Sequence, residues 1–173
     1  EWWLGFSRFV WDVIGVILLA LAAITLLGLL GLTKGSLLSP MIETIRRFLG
    51  WGGYLAVIFA GGLGWLAVRR RKPGEALFDF WQVFALETFA FTLLALLSLW
   101  GGQSLERADA GLDGGLVGWG LAYLFSRFLP SIWSNIFLLF ILLVSGLYGF
   151  GLVPLLVHRF EAWVFAPPQE EPL

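Results

Sequence analysis

The stretch VIGVILLALAAITLLGLLGLT occupies residues 13–33 and contains no charged side chain; Asp12 precedes it and Lys34 follows it. An α-helix needs about 20 apolar residues to cross the hydrocarbon core of a bilayer. These 21 residues are therefore predicted to form a transmembrane helix. The stretch is longer than the apolar core of a signal peptide and lacks an A-x-A-like cleavage site before Lys34, so we expect the helix to be retained.

Three further stretches have the same character. Residues 48–68 form a second uncharged run of 21 residues, and residues 83–105 contain Glu87 as their only charged side chain. The last uncharged run covers residues 128–157, and Pro130 near its start predicts a short entry segment before the span itself. The sequence thus predicts an all-α integral membrane domain over residues 1–165 with four transmembrane helices, at about 13–33, 48–68, 83–105 and 134–157.

The composition excludes several other classes of protein. Of the 173 residues, 59% are hydrophobic and 13% are charged, whereas soluble domains are about a quarter charged. The net charge of −1 offers no basic surface for nucleic-acid phosphates, so no direct nucleic-acid binding is expected. Because the chain has no cysteine and a single histidine, His158, we expect no metal site and no cofactor.

Basic residues indicate the orientation of the spans. A block of four of them, Arg69, Arg70, Arg71 and Lys72, follows the second span directly. Short loops rich in lysine and arginine remain in the cytoplasm. This loop and both termini are therefore predicted to be cytoplasmic. The block decides the orientation rather than the count, because the cytoplasmic side would hold six basic residues with the block included and the outer side five.

Two amphipathic segments precede the second and fourth spans, at residues 37–49 and 116–129. Apolar residues recur in both at helical spacing, so both are predicted to be helices that lie on the outer membrane interface. The tripeptide Arg47-Phe48-Leu49 returns 80 residues later as Arg127-Phe128-Leu129. We therefore predict two repeated hairpins, each with the order span, interfacial helix, span.

Small residues recur every four positions along the second span, at Gly52, Ala56, Ala60 and Gly64. Small side chains let helix backbones approach closely, which is how helices associate in a bilayer. The pattern predicts a close contact with another helix. That helix belongs either to the same bundle or to another membrane protein, including a second copy of the chain.

The ionisable residues do not predict a catalytic site. Glu87 is the carboxylate within a span, and such residues often mark proton paths, but no ionisable residue in another span could relay a proton to it. A packing or interfacial role is expected for Glu87, and a solvated position for His158. Residues 31–36, GLTKGS, do not match the phosphate-binding pattern G-x-x-x-x-G-K-[ST].

The chain resembles the N-terminal membrane domain of FtsK/SpoIIIE-type DNA translocases. The resemblance is carried by residues 37–71 and 114–149, where a Gly-Gly-x-x-Gly segment with Leu-Ala leads into the fourth span. Its members here are Gly114, Gly115, Gly118, Leu121 and Ala122. The resemblance implies a domain of the bacterial inner membrane that anchors at the division site, oligomerises around a chromosome pore and precedes a separate ATPase motor. Residues 166–173, APPQEEPL, are typical of the linker that would follow.

An alternative is a noncatalytic accessory subunit of a large respiratory or photosynthetic membrane complex. The ten tryptophans and 16 phenylalanines would then pack against lipids, pigments or neighbouring helices. A small transporter or channel is disfavoured, because the spans lack a polar or charged lining.

Overall fold

The computed structural model describes residues 2–33, 35–69, 79–154, 156, 157 and 159, and this part of the chain contains helices and no strands. Seven helices have defined bounds within it: α1 Trp2–Leu29, α2 Leu38–Leu49, α3 Gly52–Val68, α4 Phe80–Trp100, α5 Leu105–Asp109, α6 Gly115–Phe128 and α7 Ser131–Gly149.

Three helices are long and apolar enough to cross a membrane, at Asp12–Leu29, Phe80–Trp100 and Ser131–Gly149. The fourth candidate is a bent pair, because α2 and α3 meet at 111° across a short break. The described residues therefore form an all-helical chain with three candidate spans, or four when the bent pair is counted as one.

Helix boundaries differ from the predicted spans where local backbone signals override composition. The helix that contains the first span, predicted at residues 13–33, begins at Trp2 and ends at Leu29, because Gly31 has a φ of +73° and leaves the helical conformation. The third, predicted at residues 83–105, ends at Trp100, before Gly101 and Gly102.

The helix of the fourth predicted span starts at Ser131, and Pro130 does not separate a helical entry segment from it. Pro130 stands directly before Ser131, the first residue of α7, where its missing N–H costs no helical hydrogen bond. The helix ends at Gly149 rather than at residue 157. An uncharged run therefore predicts that a helix forms within it. Capping residues, prolines and glycines determine the residues at which the helix begins and ends.

The long helices form two antiparallel pairs. In the first pair, Gly64 near the end of α3 lies against Gly15 of α1, and Gly53 at the start of α3 lies against Leu29 at the end of α1. The second pair consists of α4 and α7. Each pair has its own core: Ala22, Leu29, Ile42 and Val57 in the first, and Ala95, Leu96 and Leu138 in the second.

The shorter helices α2, α5 and α6 meet at one end of the molecule, here called the connecting end. An ion pair between Arg47 of α2 and Asp109 of α5 joins the two helix pairs there. The end of α3 at Arg69 and the start of α4 at Asp79 belong to the opposite end of the helices. The connections between the long helices therefore alternate between the two ends, as expected for four helices that cross a membrane one after another.

Both segments predicted to be amphipathic are helical, as α2 and α6, but their surroundings differ. α2 projects at 111° from α3 and has one buried side chain, Ile42. α6 packs along α4, and its residues Gly115, Gly118 and Ala122 are buried. The second half also has an additional short helix, α5, between α4 and α6, and the contacts of α2 and α6 are not equivalent.

Candidate functional site

A cleft of about 540 Å³ lies at the connecting end, between the end of α1, α2 and the segment after α5. Its walls combine Gly28 and Ile42 with the charged residues Glu43, Arg46 and Asp109. Polar side chains are concentrated around this cleft. The hydrogen bonds and ion pairs of these side chains show how the helices are joined at the connecting end.

Two side chains hold the end of α1. The Arg46 guanidinium donates a hydrogen bond to the Leu29 carbonyl at 3.0 Å, and the Tyr54 hydroxyl donates to the same oxygen at 3.3 Å. The last carbonyls of a helix have no partner within the helix, and they carry the negative end of its dipole. Arg46 and Tyr54 satisfy this end, so they tie α1 to α2 and α3.

Two ion pairs fix the segment between α4 and α6. The Arg47 Nε donates to Asp109 Oδ1 at 2.7 Å, which links α2 to α5. The Arg107 guanidinium donates to both carboxylate oxygens of Asp113, at 2.8 and 2.9 Å. These hydrogen bonds hold the pKa of Asp113 below its ordinary value of 3.8 and raise the pKa of Arg107. The bidentate pair positions the turn that carries Asp113.

Backbone contacts between the two helix pairs pass through this turn. The Trp51 N–H donates to the Asp113 carbonyl at 2.8 Å, between residues 62 positions apart in the chain. A Cβ atom at Gly50 would lie 2.5 Å from the Gly115 nitrogen, and Gly114 and Gly118 leave equally little space beside the Leu94 carbonyl. The helix pairs therefore approach each other backbone to backbone at Gly50 and Gly115, and Gly114 and Gly118 let α6 approach the backbone of α4 next to this contact. We call this contact the glycine junction; it comprises Gly50, Gly114, Gly115 and Gly118.

A second polar network joins α6 to the end of α4. The Gln103 amide donates to the Ser126 hydroxyl at 3.1 Å, and the Trp119 indole N–H donates to the Gln103 carbonyl at 3.2 Å. At the start of α7, the Trp100 indole N–H donates to Asn135 Oδ1 at 3.2 Å. These side chains all hold one helix against another.

We expect the turn between α5 and α6 to loosen at low pH. Since the pKa of Asp113 is lower in the folded protein than in the unfolded chain, its carboxylate adds stability above the unfolded pKa, and this contribution is lost as the pH falls through the folded pKa. Proteolysis within residues 101–114 should therefore accelerate below about pH 4. Limited proteolysis between pH 7 and pH 2.5, with an acid-active protease, measures it.

The variant Asp113→Asn should cleave faster at pH 7 and depend less on pH. Asparagine tolerates the φ of +54° found at this position, so the backbone need not change. Glu106→Gln removes a carboxylate from the same exposed segment and serves as the control. An equal acid response in Asp113→Asn and in the unaltered chain would show that the Arg107 contact does not hold the turn.

The four small residues predicted as one packing face have different surroundings. Gly64 lies against Leu19 of α1, Gly52 lies against Leu94 of α4, and Ala60 packs on the core of the first helix pair, whereas Ala56 is exposed. A step of four residues turns a helix by about 40° more than one full turn, so three steps rotate the row by about 120°. Two different helices therefore contact the row, at its two ends.

The contact with α1 follows another set of α3 residues, Gly53, Val57, Ala60 and Gly64. Val57 is buried in the core with Leu29, and Gly53 lies against the side chain of the same leucine. Spacings of four, three and four residues return to nearly the same face after three turns. The sequence analysis did not assign Gly53 and Val57 to the packing face of α3, although their spacing from Ala60 and Gly64 is that of a single helix face.

The other predicted residues lie apart from the connecting end. Arg69 is exposed at the end of α3, where its N–H bonds to the Trp65 carbonyl at 2.9 Å. Glu87 is exposed about two turns into α4. Four predicted residues lie outside the described part of the chain, as does the segment 166–173: Arg70, Arg71, Lys72 and His158.

In the part of the chain that the structure describes, no three histidine or carboxylate side chains are placed to hold a metal ion together. At the connecting end, Arg46 bonds to the end of α1, and the Arg47–Asp109 and Arg107–Asp113 side chains pair with each other. No protein-family model, curated protein or solved structure matches the chain.

Proposed function

We propose that the chain is a noncatalytic membrane anchor and assembly domain of the kind found in FtsK/SpoIIIE-type DNA translocases. One observation supports this above the others: the glycine junction and the ion pair between Arg47 and Asp109 join two apolar helix pairs at one end. The side chains that face away from the two cores are large and apolar, for example Ile17, Ile58 and Phe140. Such an exterior suits lipid and neighbouring helices rather than water.

The proposed setting is the bacterial cytoplasmic membrane, crossed four times by two repeated hairpins. The connecting end, with α2, α5 and α6, lies on the outer side. The termini and the loop with Arg69, Arg70, Arg71 and Lys72 lie in the cytoplasm. The positive-inside rule supports this orientation, as does the position of Arg69 at the end of the helices opposite α2 and α6.

The orientation is tested with reporters fused after residue 72 and after residue 110. An alkaline phosphatase fusion should be active after residue 110 and inactive after residue 72, since this enzyme folds only outside the cytoplasm. A cytoplasmic reporter should give the reverse pattern, which serves as the control. Phosphatase activity after residue 72 together with none after residue 110 would invert the topology.

The function is tested in the full-length gene product within its own cell. A fluorescent fusion should concentrate at the division site, and exchange of residues 1–165 for an unrelated four-span anchor of the same topology should abolish this localisation and impair chromosome partition. Uniform membrane fluorescence, with co-purification in stoichiometric amounts with a respiratory or photosynthetic complex, would replace the translocase anchor by the accessory subunit.

A further inference from the structure

The cleft at the connecting end lies where a candidate span ends. Gly28, Gly31 and Thr33 line it from the end of α1, and Leu29 is the last residue of the span Asp12–Leu29. The 18 residues of this span cover about 27 Å of helix, which is close to the thickness of the hydrocarbon core. In the membrane orientation proposed above, the cleft therefore lies at the level of the lipid phosphates of the outer leaflet.

Arg46 lines this cleft and has N–H groups to spare. Its guanidinium carries five N–H groups, and the structure shows one hydrogen bond from Nη2 to the Leu29 carbonyl. Neither of the two ion pairs found among the described residues includes Arg46. Thr33 and Ser39 line the same cleft with hydroxyl groups, which can also donate. An anion can therefore bind here without displacing Arg46 from the end of α1.

The rest of the chain does not supply this anion. Lys34, which follows Thr33, lies outside the described residues and is basic. The carboxylates outside the described residues are Glu1, Glu75, Glu161, Glu170 and Glu171. They belong to stretches that continue from Trp2, Arg69 and Gly149, at the opposite end of the helices. In the proposed topology, the membrane separates these carboxylates from Arg46.

The charges of the cleft favour a singly charged anion. Arg46 and Arg47 are offset by Glu43 and Asp109, so the described lining has no net charge. Such a cleft does not attract free phosphate over a distance, although free phosphate carries more than one negative charge at neutral pH. A phosphodiester carries one charge, and short charge-assisted hydrogen bonds from the guanidinium can hold it.

An apolar strip of α1 continues from the cleft into the span. Ile24 and Leu27 precede Gly28 and Gly31 by four residues each, which is about one turn, so they lie on the same face of α1 as these cleft residues. Both side chains are exposed. At the rim of the cleft, Leu32 is 70% exposed. Polar donors thus lie directly above an apolar surface, an arrangement that matches a headgroup joined to an acyl chain.

We propose that this cleft binds the phosphodiester headgroup of a phospholipid of the outer leaflet, with an acyl chain along Ile24 and Leu27. The proposal rests on the membrane insertion put forward above. Arg46 donates to a phosphate oxygen and keeps its hydrogen bond to Leu29. The bound lipid contacts the end of α1, α2 and the segment after α5, and so adds to the connecting end a contact that the protein alone does not provide.

Native mass spectrometry tests this binding on the full chain in maltoside detergent, titrated with dioleoyl phosphatidylglycerol. One lipid should bind more tightly than the random distribution of further lipids. Arg46→Gln should weaken this first binding by about tenfold, the loss expected for one charge-assisted hydrogen bond. Arg127→Gln removes an exposed arginine from the end of α6, outside the cleft, and should leave the first binding constant unchanged.

Tyr54→Phe separates lipid binding from the fixation of α1. This change removes the other hydrogen bond to the Leu29 carbonyl and leaves the guanidinium in place. The variant should therefore keep the lipid affinity of the unaltered chain. An equal loss of affinity in Tyr54→Phe and Arg46→Gln would show that a loosened helix end weakens the binding, and would refute the contact between Arg46 and the phosphate.

Two further ligands distinguish the possible sources of the bound group. Dioleoylglycerol lacks the phosphate, and inorganic phosphate lacks the acyl chains. Neither should bind with comparable affinity or displace the lipid. Equal binding of dioleoylglycerol, displacement of the lipid by inorganic phosphate, or equal lipid affinities of Arg46→Gln and the unaltered chain would each overturn the proposal.

The lipid site and the proposed function fail separately, because the titration in detergent depends neither on orientation nor on cell division. The expected reporter topology and division-site localisation, without a lipid that depends on Arg46, would remove the lipid site alone. An Arg46-dependent lipid together with uniform membrane fluorescence would remove the translocase anchor alone.

Discussion

Replacement of Gly50 by alanine is expected to separate the two helix pairs at the glycine junction. Gly50 has φ +54° and ψ −129°, a conformation that glycine adopts readily and alanine does not. The new Cβ would also lie 2.5 Å from the Gly115 nitrogen and 2.9 Å from the Leu112 carbonyl oxygen, both backbone atoms that cannot rotate away. Strain and overpacking together should cost about 3 kcal/mol of folding stability or more.

Thermal unfolding in lipid nanodiscs measures the loss of stability, and electron spin resonance distances measure the separation. Spin labels at Ile58 of α3 and Phe140 of α7, both exposed, report the distance between the pairs. The chain has no native cysteine to interfere with labelling. This distance should become longer and more broadly distributed in Gly50→Ala.

Gly31→Ala isolates the cost of the backbone conformation. Gly31 also has a positive φ, of +73°, but a Cβ there would meet no atom within 4 Å. Its replacement should therefore cost only about 1 kcal/mol and leave the distance between the labels unchanged. Equal losses of stability in Gly31→Ala and Gly50→Ala would show that the close approach of the helix pairs does not stabilise the fold.

The helical class of the fold follows directly from the sequence. In an apolar phase, the backbone N–H and C=O groups of a run such as residues 13–33 must form hydrogen bonds with each other. A helix forms all of these hydrogen bonds within the run itself. The segments of α2 and α6 were recognisable because apolar residues recur on one side of a helix. These are local signals, which one sequence contains completely.

The connecting end could not be predicted in the same way. Arg47 and Asp109 are 62 residues apart, and nothing in either segment indicates the other as its partner. Gly114, Gly115 and Gly118 were selected only through a resemblance. Their physical reason is the approach of Gly50 to Gly115 and of the Leu94 carbonyl to Gly114 and Gly118, which depends on how distant helices pack. Such contacts are properties of the assembled fold.

The small residues of α3 show the same limit within a single helix. Their spacing marked α3 as a helix that others approach, but not which helix each residue meets. Gly52 and Gly64 proved to contact α4 and α1 respectively. A loss of stability as large as that at Gly50 is expected at Gly64, because the contact of α3 with α1 forms the core of the first helix pair.

Replacement of Gly64 by leucine is expected to force α1 away from α3. A Cβ at Gly64 would lie 2.9 Å from the Gly15 carbonyl oxygen and 3.0 Å from the Leu19 nitrogen, before the rest of the side chain is placed. Overpacking of this kind costs about 3 kcal/mol when the neighbours cannot move. A disulfide between Ala22→Cys and Gly61→Cys reports the separation, because the two Cβ positions are 3.7 Å apart, within the range of about 3.5–4.5 Å that a disulfide requires.

Gly62→Leu makes the same chemical change two residues away, where a Cβ would meet no atom within 4 Å. Leucine favours a helix over glycine by about 0.8 kcal/mol, so this variant should keep the disulfide and become slightly more stable. The two leucine variants are thus expected to change stability in opposite directions. If both lost the disulfide to the same extent, the effect would come from removing a glycine from α3, and the close contact of Gly64 with α1 would not be what holds the first helix pair together.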